Sequence, residues 1–163
     1  KKRQDKGDHW TNLRNCAYIQ EFEKEKVIYP ETTQGANFFY DPDGVFFAEK
    51  TNFIMVGKNL KYLTGILSSK LVTFVYKNYY AGVDLSNSGY QYNKHAIENL
   101  PIPQITSINQ SLVSQIESLV DQILSLKKQN KDADTSTFER EIDHLVYQLY
   151  HLAPEEIAIV EKK

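Results

Sequence analysis

The sequence predicts an α+β fold: a small mixed or antiparallel sheet with packed helices, followed by an antiparallel helical hairpin. Short aromatic and β-branched runs fill the first hundred of the 163 residues. Two long apolar repeats with helical spacing fill the end. Between them, Leu100-Pro101-Ile102-Pro103 stops regular structure, since proline lacks a backbone donor and restricts the preceding residue. We therefore predict two domains, residues 1–104 and residues 105–163.

Three strands are expected in the first domain. Residues 26–30 are β-branched and aromatic and end at a proline. Residues 38–40 and 45–48 flank Asp41-Pro42-Asp43-Gly44, whose proline at the second position and glycine at the fourth favour a type I turn and hence a β-hairpin. Residues 52–56, closed by Gly57, are predicted to be a further strand of the same sheet.

The same half of the chain has helical spacing in two places. The apolar residues of 10–23 fit a short helix. Asn59 is placed to cap a second helix that carries Leu60, Leu63 and Leu67, and Ser68 or Ser69 is expected to break or restart it. Residues 79–88 have loop composition.

The last sixty residues hold two heptad seams, with apolar residues at repeated spacings of four and three. Ser136 with Glu139 predicts a capping box for the second helix, Ser107 with Gln110 indicates one for the first, and Pro154 suits the start of a last short helix. A short connection makes the two helices antiparallel neighbours. The seam residues are Leu112, Ile116, Leu119, Ile123 and Leu126, then Phe138, Ile142, Leu145, Leu149 and Leu152.

Composition excludes several classes of protein. One cysteine rules out an internal disulfide framework and suits the cytoplasm, and one cysteine with four scattered histidines argues against structural zinc. No apolar run is long enough to span a bilayer, and no signal-peptide pattern is present, so we expect no membrane partner. The chain opens at Lys1 without an initiating methionine, which predicts a fragment of a longer protein.

No self-sufficient active site is visible in the sequence. There is no phosphate-binding glycine loop, no nucleophile elbow and no zinc-protease motif. The nearest approach to a nuclease metal motif is Asp43 with Glu49 and Lys50, and it lacks the residue that should separate glutamate from lysine. We therefore predict no catalytic residue, no metal ligand and no bound cofactor in this chain.

A series of short motifs extends over about 140 residues. They are Trp10 with Leu13 and Arg14, then residues 26–31, 39–48, 60–71 and 89–103, and last the helical end. In kind and order these motifs resemble the TaqI-like C-terminal specificity domain of type IIG restriction–modification enzymes, which is related to the specificity subunits of type I systems. One departure is Ser68, where family members often have asparagine.

The resemblance implies a target-recognition domain that reads a short sequence of double-stranded DNA. It would direct an adenine-specific methyltransferase and a nuclease located elsewhere in the same polypeptide, where S-adenosylmethionine and Mg²⁺ are expected. By the same analogy the helical pair is a spacer that packs against the catalytic part or, as a homodimer contact, against a second copy.

Candidate DNA contacts concentrate in and before the segment 89–94. Amide side chains can pair with adenine and lysine with guanine, whereas other lysines position the phosphates. The base-contacting candidates are Gln91, Asn93 and Lys94, followed by Asn87 and Ser88; the phosphate candidates are Lys77, Lys58 and Lys61; the candidates for stacking or sugar contact are Tyr79, Tyr80, Tyr90 and Tyr92.

Two alternatives stay open at this point. Each tyrosine could belong to the core, and Gln91 and Asn93 could serve to structure their own loop. The chain could also be a helical assembly module with no DNA contact, since its heptad seams could dock another protein and its net charge of −2 does not by itself indicate nucleic acid. Charge is unevenly distributed: residues 1–100 carry 13 Lys/Arg and 11 Asp/Glu, whereas residues 101–163 carry 6 and 10. That asymmetry permits a basic face in the first domain.

Overall fold

The computed structural model describes His9 and residues 16–81 and 89–162. These residues form an α+β fold, as predicted. The strands are β1 (Lys26–Pro30), β2 (Thr32–Thr33), β3 (Phe39–Asp41), β4 (Asn52–Met55) and β5 (Tyr90–Gln91). The helices are a 3₁₀ turn (Ile19–Glu23), α1 (Leu60–Leu67), α2 (Lys70–Val75) continuing into a π-helical turn (Tyr76–Tyr80), α3 (Lys94–Glu98), α4 (Gln110–Gln129), α5 (Ser136–Leu149) and α6 (Pro154–Glu161).

The main sheet has three antiparallel strands in the order β3–β1–β4. Strand β1 lies in the centre, with Val27 opposite Tyr40 on one side and Met55 on the other. Val27 and Tyr29 point into the core. The predicted strands at 26–30 and 52–56 are confirmed, to within one residue at the end of the second.

The predicted hairpin arm at 45–48 is wrong, because no strand forms there. The carboxylate of Asp41 accepts hydrogen bonds from the backbone amides of Val45 (3.2 Å) and Phe46 (2.9 Å). Because these amides are hydrogen-bonded to Asp41, they are not available for hydrogen bonds with a neighbouring strand. Strand β3 therefore pairs with β1 alone.

The break between α1 and α2 is confirmed. Ser69 caps α2, and its hydroxyl accepts the amide of Val72 at 3.3 Å. Asn59 does precede α1, but in left-handed geometry and without a capping hydrogen bond from its side chain. The predicted loop at 79–88 begins later than expected, since Tyr79 and Tyr80 belong to the π-helical turn, and residues 82–88 lie outside the described part. Of the helix expected at 10–23, the structure describes only the 3₁₀ turn.

Helices α4 and α5 pack along each other across a six-residue connection, as the seams predict. The buried face of α4 is wider than its seam: besides Ile116 and Leu119 it includes Val113 and Val120. The buried face is wider because α4 also packs against α1. The two helices are close together there, since a Cβ added to Gly65 of α1 would lie 2.5 Å from Ile116 Cγ2.

Both predicted capping boxes are misplaced by one or two residues. Thr135, not Ser136, is the cap of α5, and its hydroxyl donates to Glu139 at 2.6 Å. Asn109, not Ser107, precedes α4, and its side-chain oxygen accepts the amide of Thr106 at 2.7 Å.

The helical end is not detached from the first hundred residues. One hydrophobic core contains side chains from both. Tyr62 donates to the carbonyl of Pro103 (2.9 Å) and Tyr150 to that of Pro101 (3.1 Å), so both clamp the proline connector. The boundary at 104 stays a prediction about domain organisation; within the described part the two segments pack as one body. None of the described helices is both long and apolar enough to cross a membrane.

Candidate nucleic-acid interface

The segment 89–92 is held by a two-stranded sheet between β2 and β5. Thr33 pairs with Tyr90 and Thr32 with Gln91. Gly89 has φ +98°, and a Cβ there would lie 2.4 Å from the carbonyl oxygen of Thr33, so the close approach requires glycine. Residues 89–92 are therefore a fixed part of this sheet rather than a free loop, and we call this segment the ledge.

Neighbouring side chains on β5 point to opposite faces of the two-stranded sheet, because a β-strand is pleated. Gln91 is exposed, and its Nε2 donates to Glu31 Oε1 at 3.0 Å. Tyr90 is half-buried, with the Lys77 ammonium 5.1 Å from the centre of its ring. The contact with Glu31 favours one orientation of the Gln91 amide, and the lysine over Tyr90 is a cation–π contact.

Tyr92 belongs to the core, not to an interface. Only 2 % of it is exposed, and its ring stacks on Tyr76 with 4.2 Å between centroids. Burial raises the pKa of Tyr92 to about 12, and its hydroxyl has no hydrogen-bond partner among the described residues. Tyr76 donates to the carbonyl of Gln91 at 2.7 Å, so this stacked pair supports β5 from beneath. The core alternative applies to Tyr92, and DNA contact by its side chain is excluded in this fold.

Asn93 and Lys94 start helix α3. The Asn93 side-chain oxygen accepts the amide of Ala96 at 2.8 Å, which makes Asn93 the N-cap and supports the loop-structuring alternative. Lys94 is 74 % exposed, and its ammonium lies 3.5 Å from Glu98 Oε1. An exposed pair of this kind contributes well under about 1 kcal/mol, so Lys94 can exchange it for another anion.

The π-helical turn places Lys77 and Asn78 at the cleft beside Tyr90, while Tyr79 and Tyr80 lie elsewhere on the turn. Tyr79 is 76 % exposed, whereas Tyr80 donates to the carbonyl of Asn99 at 3.1 Å. A cleft of about 660 Å³ opens between this turn, α2 and Tyr90. Its polar lining consists of Ser68, Lys70, Thr73, Lys77, Asn78, Tyr90 and Glu161.

The remaining candidates are not gathered with this group. Lys61 is paired with Asp121 of α4 at 2.8 Å. Lys58 is exposed just before α1, and no ion pair to it occurs in the described part of the chain. Asn87 and Ser88 lie outside the described residues.

The roles of two residues were not predicted from the sequence. Glu31 orients the Gln91 side chain, and Thr33 packs closely against Gly89. A two-residue strand such as β2 has no periodicity to detect, and its partner is almost sixty residues away. Across residues 16–81 and 89–162, no group of three or more His, Cys, Asp or Glu side chains is placed to hold a metal ion.

Comparison with known proteins places this chain in a family. No curated protein matches the chain. A family model described as the TaqI-like C-terminal specificity domain matches residues 3–102, which cover the sheet, α1, α2 and the ledge at β5. The chain therefore belongs to the TaqI-like C-terminal specificity domains, DNA-recognition parts of restriction–modification enzymes.

Proposed function

We propose that this chain selects the target sequence of a type IIG restriction–modification enzyme, with Gln91 and Lys94 directed to base edges. The observation that carries the proposal is the Gln91 amide, exposed on a fixed strand and oriented by Glu31. A glutamine amide can pair bidentately with adenine, and each such pair discriminates by roughly 1–3 kcal/mol. A side chain held in one orientation before binding loses less entropy when it binds.

Phosphate contacts are assigned to Lys77 and, at a separate place before α1, to Lys58, whereas the exposed Tyr79 is assigned to stacking or sugar contact. Lys77 lies over the ring of Tyr90, on the face of the same short strand opposite to Gln91, where it can reach a phosphate that flanks the groove read by Gln91. Such contacts set register and orientation without reading sequence. Methyl transfer and cleavage, with S-adenosylmethionine and Mg²⁺, belong to the attached catalytic part in a cytoplasmic enzyme.

Lys77→Ala tests the phosphate assignment in the full-length parent enzyme. Loss of one phosphate contact should weaken binding similarly on all DNA sequences and reduce the slope of log affinity against log salt by about 1. Lys131→Ala, an exposed lysine in the α4–α5 connection, is the matched control and should leave the slope unchanged. Equal slopes for wild type and Lys77→Ala would remove Lys77 from the interface.

The assembly-module alternative has less support. Ile116, Leu119 and Leu145 of the two seams are buried in the chain's own core, as an intramolecular hairpin requires. A homodimer through the helical arm would have to use other residues.

A further inference from the structure

An exposed aromatic surface lies on the 3₁₀ turn and on the segment that follows β3. Phe22 stacks on Phe47 with 5.3 Å between centroids and lies 6.0 Å from Tyr18, while Phe46 meets Phe39 edge-on at 5.1 Å. Phe47 is 60 % exposed. We call Tyr18, Ile19, Phe22, Phe39, Val45, Phe46 and Phe47 the aromatic patch. Contiguous exposed apolar surface of this kind marks an interaction site.

A buried ion pair holds this surface in place. Lys26 and Asp41 are at most 1 % exposed, and the Lys26 ammonium donates to Asp41 (2.5 Å) and to the carbonyl of Phe22 (2.6 Å). Asp41 in turn accepts the amides of Val45 and Phe46. Burying two charges is costly, and here the pair fixes both halves of the exposed patch.

Gly44 locks the same loop against the 3₁₀ turn. It has φ +66°, and a Cβ there would lie 2.3 Å from the carbonyl oxygen of Glu23. An aromatic surface that is both exposed and rigidly built is a preorganised contact surface.

Charge argues against DNA as its partner. Segments 16–25 and 42–50, which carry most of the patch, hold five exposed or half-exposed carboxylates and two exposed lysines, one of which is already paired with Glu21. DNA carries one negative charge per roughly 1.7 Å of its axis, so this rim repels it. The carboxylates are Glu21, Glu23, Glu25, Asp43 and Glu49.

We propose that the aromatic patch docks the catalytic part of the parent polypeptide, through an apolar surface edged with basic side chains. The proposal depends on membership of a C-terminal specificity domain family, which implies an attached catalytic part. The patch lies at the start of the continuously described chain, since Tyr18 is two residues from Cys16. Such docking sets how the recognition surface is held relative to the catalytic part.

Thiol labelling of the full-length parent enzyme tests the docking. Val45→Cys places a probe in the patch with little change in size, and Ser125→Cys on the exposed side of α4 is the reference in the same protein. Iodoacetamide labelling, followed by peptide mass spectrometry, should be at least about tenfold slower at position 45 than at position 125. Adding Phe47→Ser should remove that protection while leaving labelling at 125 unchanged.

Three results would overturn the docking proposal. Equal labelling at the two positions means that the patch is uncovered. Protection that disappears on dilution points to a second copy, and protection that appears only with added DNA places the patch on the DNA face. None of these outcomes depends on whether Gln91 reads bases, so failure of the docking proposal and failure of the recognition proposal are distinguishable.

Discussion

Asp41→Ala should lower the free energy of unfolding by about 3–5 kcal/mol, because it leaves the Lys26 ammonium buried without a counter-charge. The change also removes the acceptor for the amides of Val45 and Phe46. Denaturant unfolding followed by circular dichroism, on wild type and variant, measures the difference.

A double variant separates the unpaired charge from a simple loss of packing. Lys26→Met with Asp41→Leu replaces both charges by apolar groups and should recover much of the loss, since such replacements of a buried pair are often neutral. A double variant as unstable as Asp41→Ala alone would mean that the amide hydrogen bonds, and not the isolated ammonium, account for the effect.

The same pair gives a pH dependence with a definite sign. Burial opposes ionisation of Asp41, but hydrogen bonds from Lys26 and from the amides of Phe46 and Val45 outweigh it and hold the pKa below the ordinary value of 3.8. A lowered folded-state pKa contributes stability that is complete above about pH 4 and is lost as pH falls through the folded value. This acid-induced loss should be smaller in Asp41→Ala than in wild type.

Gly89→Ala is expected to have the second large effect, on stability and DNA binding together. The backbone at φ +98° disfavours a side chain, and the new Cβ would meet the carbonyl oxygen of Thr33 at 2.4 Å. We expect a loss of about 1–3 kcal/mol in unfolding free energy. Because the clash displaces β5, DNA affinity of the parent enzyme should fall even under conditions where the variant is fully folded.

Gly35→Ala is the matched control for this substitution. Gly35 precedes β3, and no atom lies within 4 Å of a Cβ added there. A compatible glycine-to-alanine change stabilises by about 0.4–1 kcal/mol through the unfolded chain. If Gly89→Ala behaved like Gly35→Ala, the tight contact between β2 and β5 would not hold the ledge.

The parts of the fold that sequence could predict are those set by local pattern. Strand β1 and the paired helices α4 and α5 follow from β-branched runs and apolar spacing. The failed hairpin arm shows the limit: residues 45–48 have strand composition, but the Asp41 carboxylate takes two of their amides. That competition depends on Lys26, which is fifteen residues away in sequence.

For the candidate site, sequence could indicate a segment but not the surroundings of each side chain. Aromatic and amide residues near Gln91 single out residues 89–94 as a candidate, yet nothing local separates Tyr92, stacked in the core, from Tyr90 at the cleft. The surroundings of each side chain depend on partners that are distant in sequence. Tyr76 lies beneath Tyr92, and Glu31 orients Gln91. Such pairings arise from tertiary structure and leave no periodic signal.

The most direct test of sequence reading by the ledge is the base preference of the full-length parent enzyme on a pool of randomised DNA duplexes. The variant combines Gln91→Ala, Lys94→Ala and Asn93→Ser, since serine keeps the N-cap of α3. We expect unchanged stability and relaxed preference at one or more base pairs, each worth roughly 1–3 kcal/mol in wild type. An unaltered preference at every position would contradict recognition through residues 91–94.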